Sequence, residues 1–115
     1  MQKRVLVLQG DLVMRKILER MFHTKGYDCH CLASLAEFKD KDVQSHFHVV
    51  VTDLLFRGIS PQEYVLKLNG SIKYDKLFVV TMLGQEKIKR SISRLTTIDG
   101  YFDYPVDLKE IEDKI

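Results

Sequence analysis

The chain reads as an α/β domain built on a doubly wound, five-stranded parallel sheet in the order 2-1-3-4-5, a three-layer sandwich with helices on both faces. Three observations predict it. Apolar periodicity switches repeatedly between strand and helix patterns along the 115 residues. The segment "HVVVTDL" is an almost unbroken apolar run, as strands buried on both faces are. Connections are short, with no repeat, linker or low-complexity stretch, so 1–115 is expected to be a single domain.

"KRVLVL" (3–8) is the first strand, and from Asp11 onward Met14, Ile17, Leu18, Met21 and Phe22 mark one helical face. Lys25-Gly26 ends that helix, Gly being favoured just past a helix terminus. "YDCHCL" is the second strand. Ser34 with Glu37 three residues on forms a capping box that opens a short polar helix, "LAEFKDKD". "HVVVTDL" is the third strand, and Pro61 begins a helix that turns Tyr64, Val65 and Leu68 inward and closes at Asn69-Gly70. "KLFVVTML" (76–83) is the fourth strand, followed by a helix with Ile88, Ile92 and Leu95 on one side. "IDGYF" is the fifth, and Leu108, Ile111 and Ile115 space out a last helix that the chain end truncates.

Composition narrows the function classes. With 45% hydrophobic and 30% charged residues the chain is globular in type, and a net charge of +2 is too small to argue for nucleic acid or an anionic membrane. No apolar run approaches the ~20 residues that span a bilayer, and residues 1–20 lack signal-peptide anatomy, so a cytoplasmic setting is expected. Cys29 and Cys31 share a strand face with His30 on the other, poorly oriented for a disulfide. A metal pair with His23, His46 or His48 would lack a second cysteine pair, so reduced, partly buried thiols are the better reading.

The chemistry concentrates in "VVVTDLL" (49–55), where a carboxylate interrupts an apolar run. In open α/β sheets the carboxyl ends of the strands frame the ligand crevice. Asp53, Asp11, Thr81 and the Tyr104-Pro105 turn all map to that rim. The plainer reading of Asp53 is a strand cap that starts a solvated loop.

Over its whole length the chain resembles the response-regulator receiver domain, the CheY-like module of two-component signalling. The resemblance rests on "VVVTDLL", on "FVVTML", and on "GYFDYP" with its aromatic three before the residue that precedes proline. It implies a phosphoacceptor at Asp53, a switch hydroxyl at Thr81, a switch aromatic at Tyr101 and a cis bond at Tyr104-Pro105. It also exposes departures. Gln9 and Gly10 stand where the family has the acidic pair that helps hold Mg²⁺, leaving Asp11, equally an N-cap, and Asp53 as metal ligands for at most weak binding. Tyr104 replaces the lysine that reaches the phosphoryl group, Met82 is bulkier than the usual small residue and would crowd the site, and Arg57 takes the place of a proline.

Phosphorylating an aspartate requires cations to neutralise the incoming oxygens. Two unit charges about 4 Å apart interact by roughly 4 kcal/mol near a protein surface, so losing both cations should cost several powers of ten in rate. The expectation is a degenerate, non-enzymatic receiver in phosphorelay signalling. It would need no cofactor and act on a signalling protein, a histidine kinase or an output domain, without depending on phosphorylation. The alternative is a conventional receiver phosphorylated on Asp53. A third reading, a flavodoxin-like enzyme or nucleotide binder, lacks a Gly-rich phosphate loop and a convergent catalytic set. Lys87, Lys89, Arg90 and Arg94 on the fourth helix, against Asp99, Asp103, Asp107, Glu110, Glu112 and Asp113 on the fifth strand and fifth helix, suit a two-fold homodimer.

Overall fold

The computed structural model describes residues 3–38, 46–82, 86–103 and 106–115. Five strands, β1 (Arg4–Leu8), β2 (Asp28–Leu32), β3 (His46–Thr52), β4 (Lys73–Thr81) and β5 (Gly100–Asp103), pair in parallel in the order β2-β1-β3-β4-β5. The helices among the described residues are α1 (Leu12–Thr24), α2 (Pro61–Ser71), α3 (Glu86–Ser93) and α4 (Leu108–Lys114). The predicted fold class and strand order are those observed.

Side-chain alternation sorts the strands' residues onto two buried faces. On one, Val5, Val7, Val51, Phe78 and Val80 meet Leu18, Met21 and Phe22 of α1 and Ile111 of α4. On the other, Leu6, Leu8, Val50, Leu77 and Val79 meet Tyr64, Val65 and Leu68 of α2 and Ile92 of α3. Each large apolar side chain buried this way is worth about 1.5–3 kcal/mol, which is what seats both helix layers. Alternation breaks at the start of β3 and at its partner Tyr74 in β4, which packs with Leu77 and Val79. Phe47 packs with Val50 and not with Val49, while His48 presents Nδ1 to the Arg4 N–H at 3.0 Å.

The chain punctuation follows local chemistry. Asp11 has an extended backbone and accepts the Met14 N–H at 3.1 Å, so the N-cap of α1 is a carboxylate beside the positive end of the helix dipole. Gly26, with φ of 87°, takes the left-handed position past its end. Ser60 caps α2 through the Glu63 N–H with Pro61 in the first turn. Gly100 is needed for packing: a Cβ there would lie 2.8 Å from the Phe102 ring and 3.1 Å from that of Phe78, two rings that meet edge to face.

Several sequence expectations need correction. Ser34 opens only a 3-10 turn, Leu35–Glu37, and its side chain makes no capping bond. Phe38 is already extended, and 39–45, which include the rest of the expected helix, lie outside the described residues. Asn69-Gly70 does not close α2, which runs through Ser71 because Leu68 and the following Ile72 are buried. β4 consequently starts at Lys73, and Leu95 falls beyond α3. Ile98 and Asp99 precede β5; the Asp99 N–H donates to the Leu77 carbonyl and its carboxylate accepts the Leu77 N–H at 2.8 Å.

Candidate functional site

The site lies at the carboxyl ends of β1, β3 and β4. The Asp53 N–H donates to the Leu8 carbonyl at 3.0 Å, extending the β1–β3 pairing by one residue before the chain turns away. Asp53 is buried, 9% exposed, so it is no solvated loop starter. Its Oδ1 accepts three bonds: from the Leu54 N–H at 2.6 Å, the Leu55 N–H at 3.0 Å and the Thr81 hydroxyl at 2.6 Å. Thr81, fully buried, is the last residue of β4. The fold has brought together two residues that the sequence separates by 28 positions.

Gln9 follows β1 and is 1% exposed. Its Oε1 accepts the Asp11 N–H at 3.2 Å, which fixes the amide's orientation and leaves buried Nε2 without a hydrogen-bond partner among the described residues. A buried unpaired donor costs about 1–3 kcal/mol. The Gln9 carbonyl accepts from Arg15 Nη1 at 2.9 Å, so a guanidinium of α1 sits at this rim. Sequence reasoning missed Arg15, whose signal was its place one helical turn after Asp11. Gly10 is exposed, and a Cβ there would meet the Ala33 carbonyl only at 3.8 Å.

Beneath the crevice Thr52 donates to the Asp53 carbonyl at 2.8 Å. Its single proton is thereby committed, so the Tyr64 hydroxyl, 2.6 Å away, donates to Thr52 Oγ1. Burial pushes the Tyr64 phenol well above the usual range. Tyr64 was legible from sequence only as an inward apolar residue; "VVVTD", with a hydroxyl inside a buried strand, was the available hint.

Tyr101 is half-buried on β5, packed against the Tyr64 side of the core, with Lys89 Nζ 6.0 Å from its ring. Burial, helped by the charges of Asp103 and Asp53, pushes its phenol up to about 12. Met82 is 70% exposed and stands at the rim without crowding the carboxylate as its bulk suggested. Arg57 is exposed, and with Leu35, Phe56, Ile59, Tyr64 and Lys67 it lines an open cleft of about 430 Å³ beside the loop that follows Asp53. Tyr104 and Pro105, including the expected cis bond, lie outside the described residues.

Mg²⁺ demands near-octahedral oxygen coordination. Here the donors are a carboxylate with one oxygen committed to three protein donors, a neutral amide, and exposed Asp11, whose Oδ1 caps α1. Among the described residues no three His, Cys, Asp or Glu converge on a metal position. This set does not fit the ion.

No protein-family model matches the chain. Solved structures do. Chemotaxis protein CheY4 of Vibrio cholerae superposes with a TM-score of 0.78 at 16% identity, covering 100% of both chains. A CheY-like receiver domain protein of Methanospirillum hungatei gives 0.79 at 20% identity, over 99% of this chain and 90% of that one. A response regulator of Burkholderia pseudomallei, with a phosphorylated aspartic acid and a calcium ion, gives 0.82 at 18% identity, over 98% of this chain and 66% of its own. The chain therefore has the fold of CheY-like response-regulator receivers. No helix among the described residues is long and apolar enough to cross a membrane.

Proposed function

We propose that the chain is a signalling receiver domain that works by binding a protein partner without relying on phosphorylation of Asp53. The observation that carries this reading is Gln9. Its buried amide occupies the end of β1 beside Asp53, where a cation-binding receiver needs a carboxylate. The three donors on Asp53 Oδ1 add to it, because they stabilise the carboxylate that would have to become an acyl phosphate. The Burkholderia relative carries both a phosphoryl aspartate and a divalent ion. This chain offers the ion the Asp53 carboxylate, the neutral Gln9 amide and exposed Asp11, whose Oδ1 already caps α1.

The Asp53–Thr81 contact favours a second reading, a conventional phosphoaccepting receiver, since it joins the two residues that such a switch couples. One experiment separates them. The protein is incubated with acetyl phosphate or beryllofluoride and excess Mg²⁺ while amide shifts near Thr81 and Tyr101 are recorded. Unchanged spectra, with partner binding equal in Asp53→Asn, are expected. Saturable shifts abolished by Asp53→Asn would establish the conventional receiver.

The partner is a signalling protein, a histidine kinase or an output domain. A second copy is a further candidate, through α3, β5 and α4. Lys89, Arg90 and Arg94 are exposed there, as are Asp103, Glu110 and Asp113. Asp99 and Glu112 contribute less than their charge suggests, being engaged by the Leu77 N–H and by Lys25 at 3.7 Å.

A further inference from the structure

Away from the crevice, the edge strand β2 carries Cys29 and Cys31 on the face covered by α1, both half-buried and both free thiols. Their sulfurs are 3.6 Å apart. Two thiolates sharing one tetrahedral centre with bonds of about 2.3 Å are separated by about 3.8 Å, so the strand already presents a chelating bite. A disulfide would instead need the sulfurs to close to about 2.05 Å between residues whose Cα atoms, two apart on a strand, are about 6.6 Å apart, near the limit for such a bond. No third metal ligand completes a cage among the described residues. The pair suits a centre that two sulfurs satisfy.

We propose that Cys29 and Cys31 form a bidentate site for a thiophilic centre, for which a monosubstituted trivalent arsenical is the diagnostic ligand. The reaction is a condensation. Two S–H bonds break, two As–S bonds form, and the arsenical oxygen leaves as water with both protons, so arsenic stays trivalent and no oxidant is required.

The probe is phenylarsine oxide on the intact chain, followed by mass spectrometry. The expected product is one phenylarsenic group per chain with loss of two hydrogens, and protection of both cysteines from iodoacetamide, which needs no variant to read. Cys29→Ser and Cys31→Ser should each weaken binding by about a hundredfold, because the second bond is intramolecular only when both sulfurs are present. A parallel Cd²⁺ titration, read by thiolate charge-transfer absorption, tests the ionic member of the class, and a 1:1 band requiring both sulfurs supports the site as well. Two arsenicals per chain, single-cysteine variants that bind as the parent does, or no adduct and no band would overturn it.

Discussion

The Thr81 hydroxyl donates to Asp53 Oδ1 at 2.6 Å with both residues buried, so the end of β4 is tied directly to the carboxylate that follows β3. A hydrogen bond to a charged, buried acceptor contributes about 1.5–3 kcal/mol. Thr81→Val should lower the unfolding free energy by that amount in urea titrations, whereas Thr81→Ser should retain most of it. Equal stability of parent and Thr81→Val would show that the bond carries no net energy.

Restoring acids should restore ion binding. Gly10→Asp has room, since the nearest atom to its Cβ is 3.8 Å away. Gln9→Asp places a second carboxylate beside Asp53 and gives up the bond to the Asp11 N–H. Without Mg²⁺ the double variant should be less stable than the parent by about 1–3 kcal/mol, from like-charge repulsion and the lost partner. Millimolar Mg²⁺ should raise its melting temperature and leave the parent's unchanged.

Alkaline stability should depend on the tyrosines. Burial raises the Tyr64 phenol above its unfolded value of about 10, so its contribution is fully present below that pH and is lost as pH rises through and beyond it. Tyr101, pushed to about 12, and Tyr74, also raised by burial, act in the same direction. Tyr64→Phe should cost about 1 kcal/mol at neutral pH by removing the donor to Thr52, yet show a shallower fall in stability above pH ~10. Parallel curves for parent and variant would refute the assignment.

Gly100→Ala should destabilise although alanine suits a strand better than glycine. The added methyl would stand 2.8 Å from the Phe102 ring and 3.1 Å from Phe78. Overpacking of this kind typically costs about 1–3 kcal/mol, and pairing with Phe102→Leu should recover part of it in a double-mutant cycle.

If the charged face made by α3, β5 and α4 joins two copies, sedimentation should show a dimer at low salt that dissociates at high salt. Reversing Lys89 and Arg90 to Glu should abolish it. A monomer at both salt concentrations would remove this partner and leave the heterologous one.

The five strands and their order were legible in the sequence because burial on both faces forces near-continuous apolar runs and short right-handed crossovers restrict the topology. The N-cap at Asp11 and the left-handed Gly26 were legible for the same kind of reason, each being decided by a few neighbouring atoms. Element ends were less so. Gly70 continues α2 because Ile72 is buried beyond it, and Ser34 opens only a 3-10 turn that Phe38 leaves in an extended conformation. What only the tertiary structure decided is how side chains with several available partners spend their hydrogen bonds. Gln9 turns its carbonyl oxygen to Asp11 and buries an amide unpaired among the described residues, Thr52 passes a hydroxyl chain from Tyr64 to Asp53, and Thr81 reaches the carboxylate itself. Periodicity specifies which face a residue occupies. A hydrogen bond depends on ångström-scale placement of atoms from strands far apart in the chain, and that placement exists only once both faces of the sheet are packed.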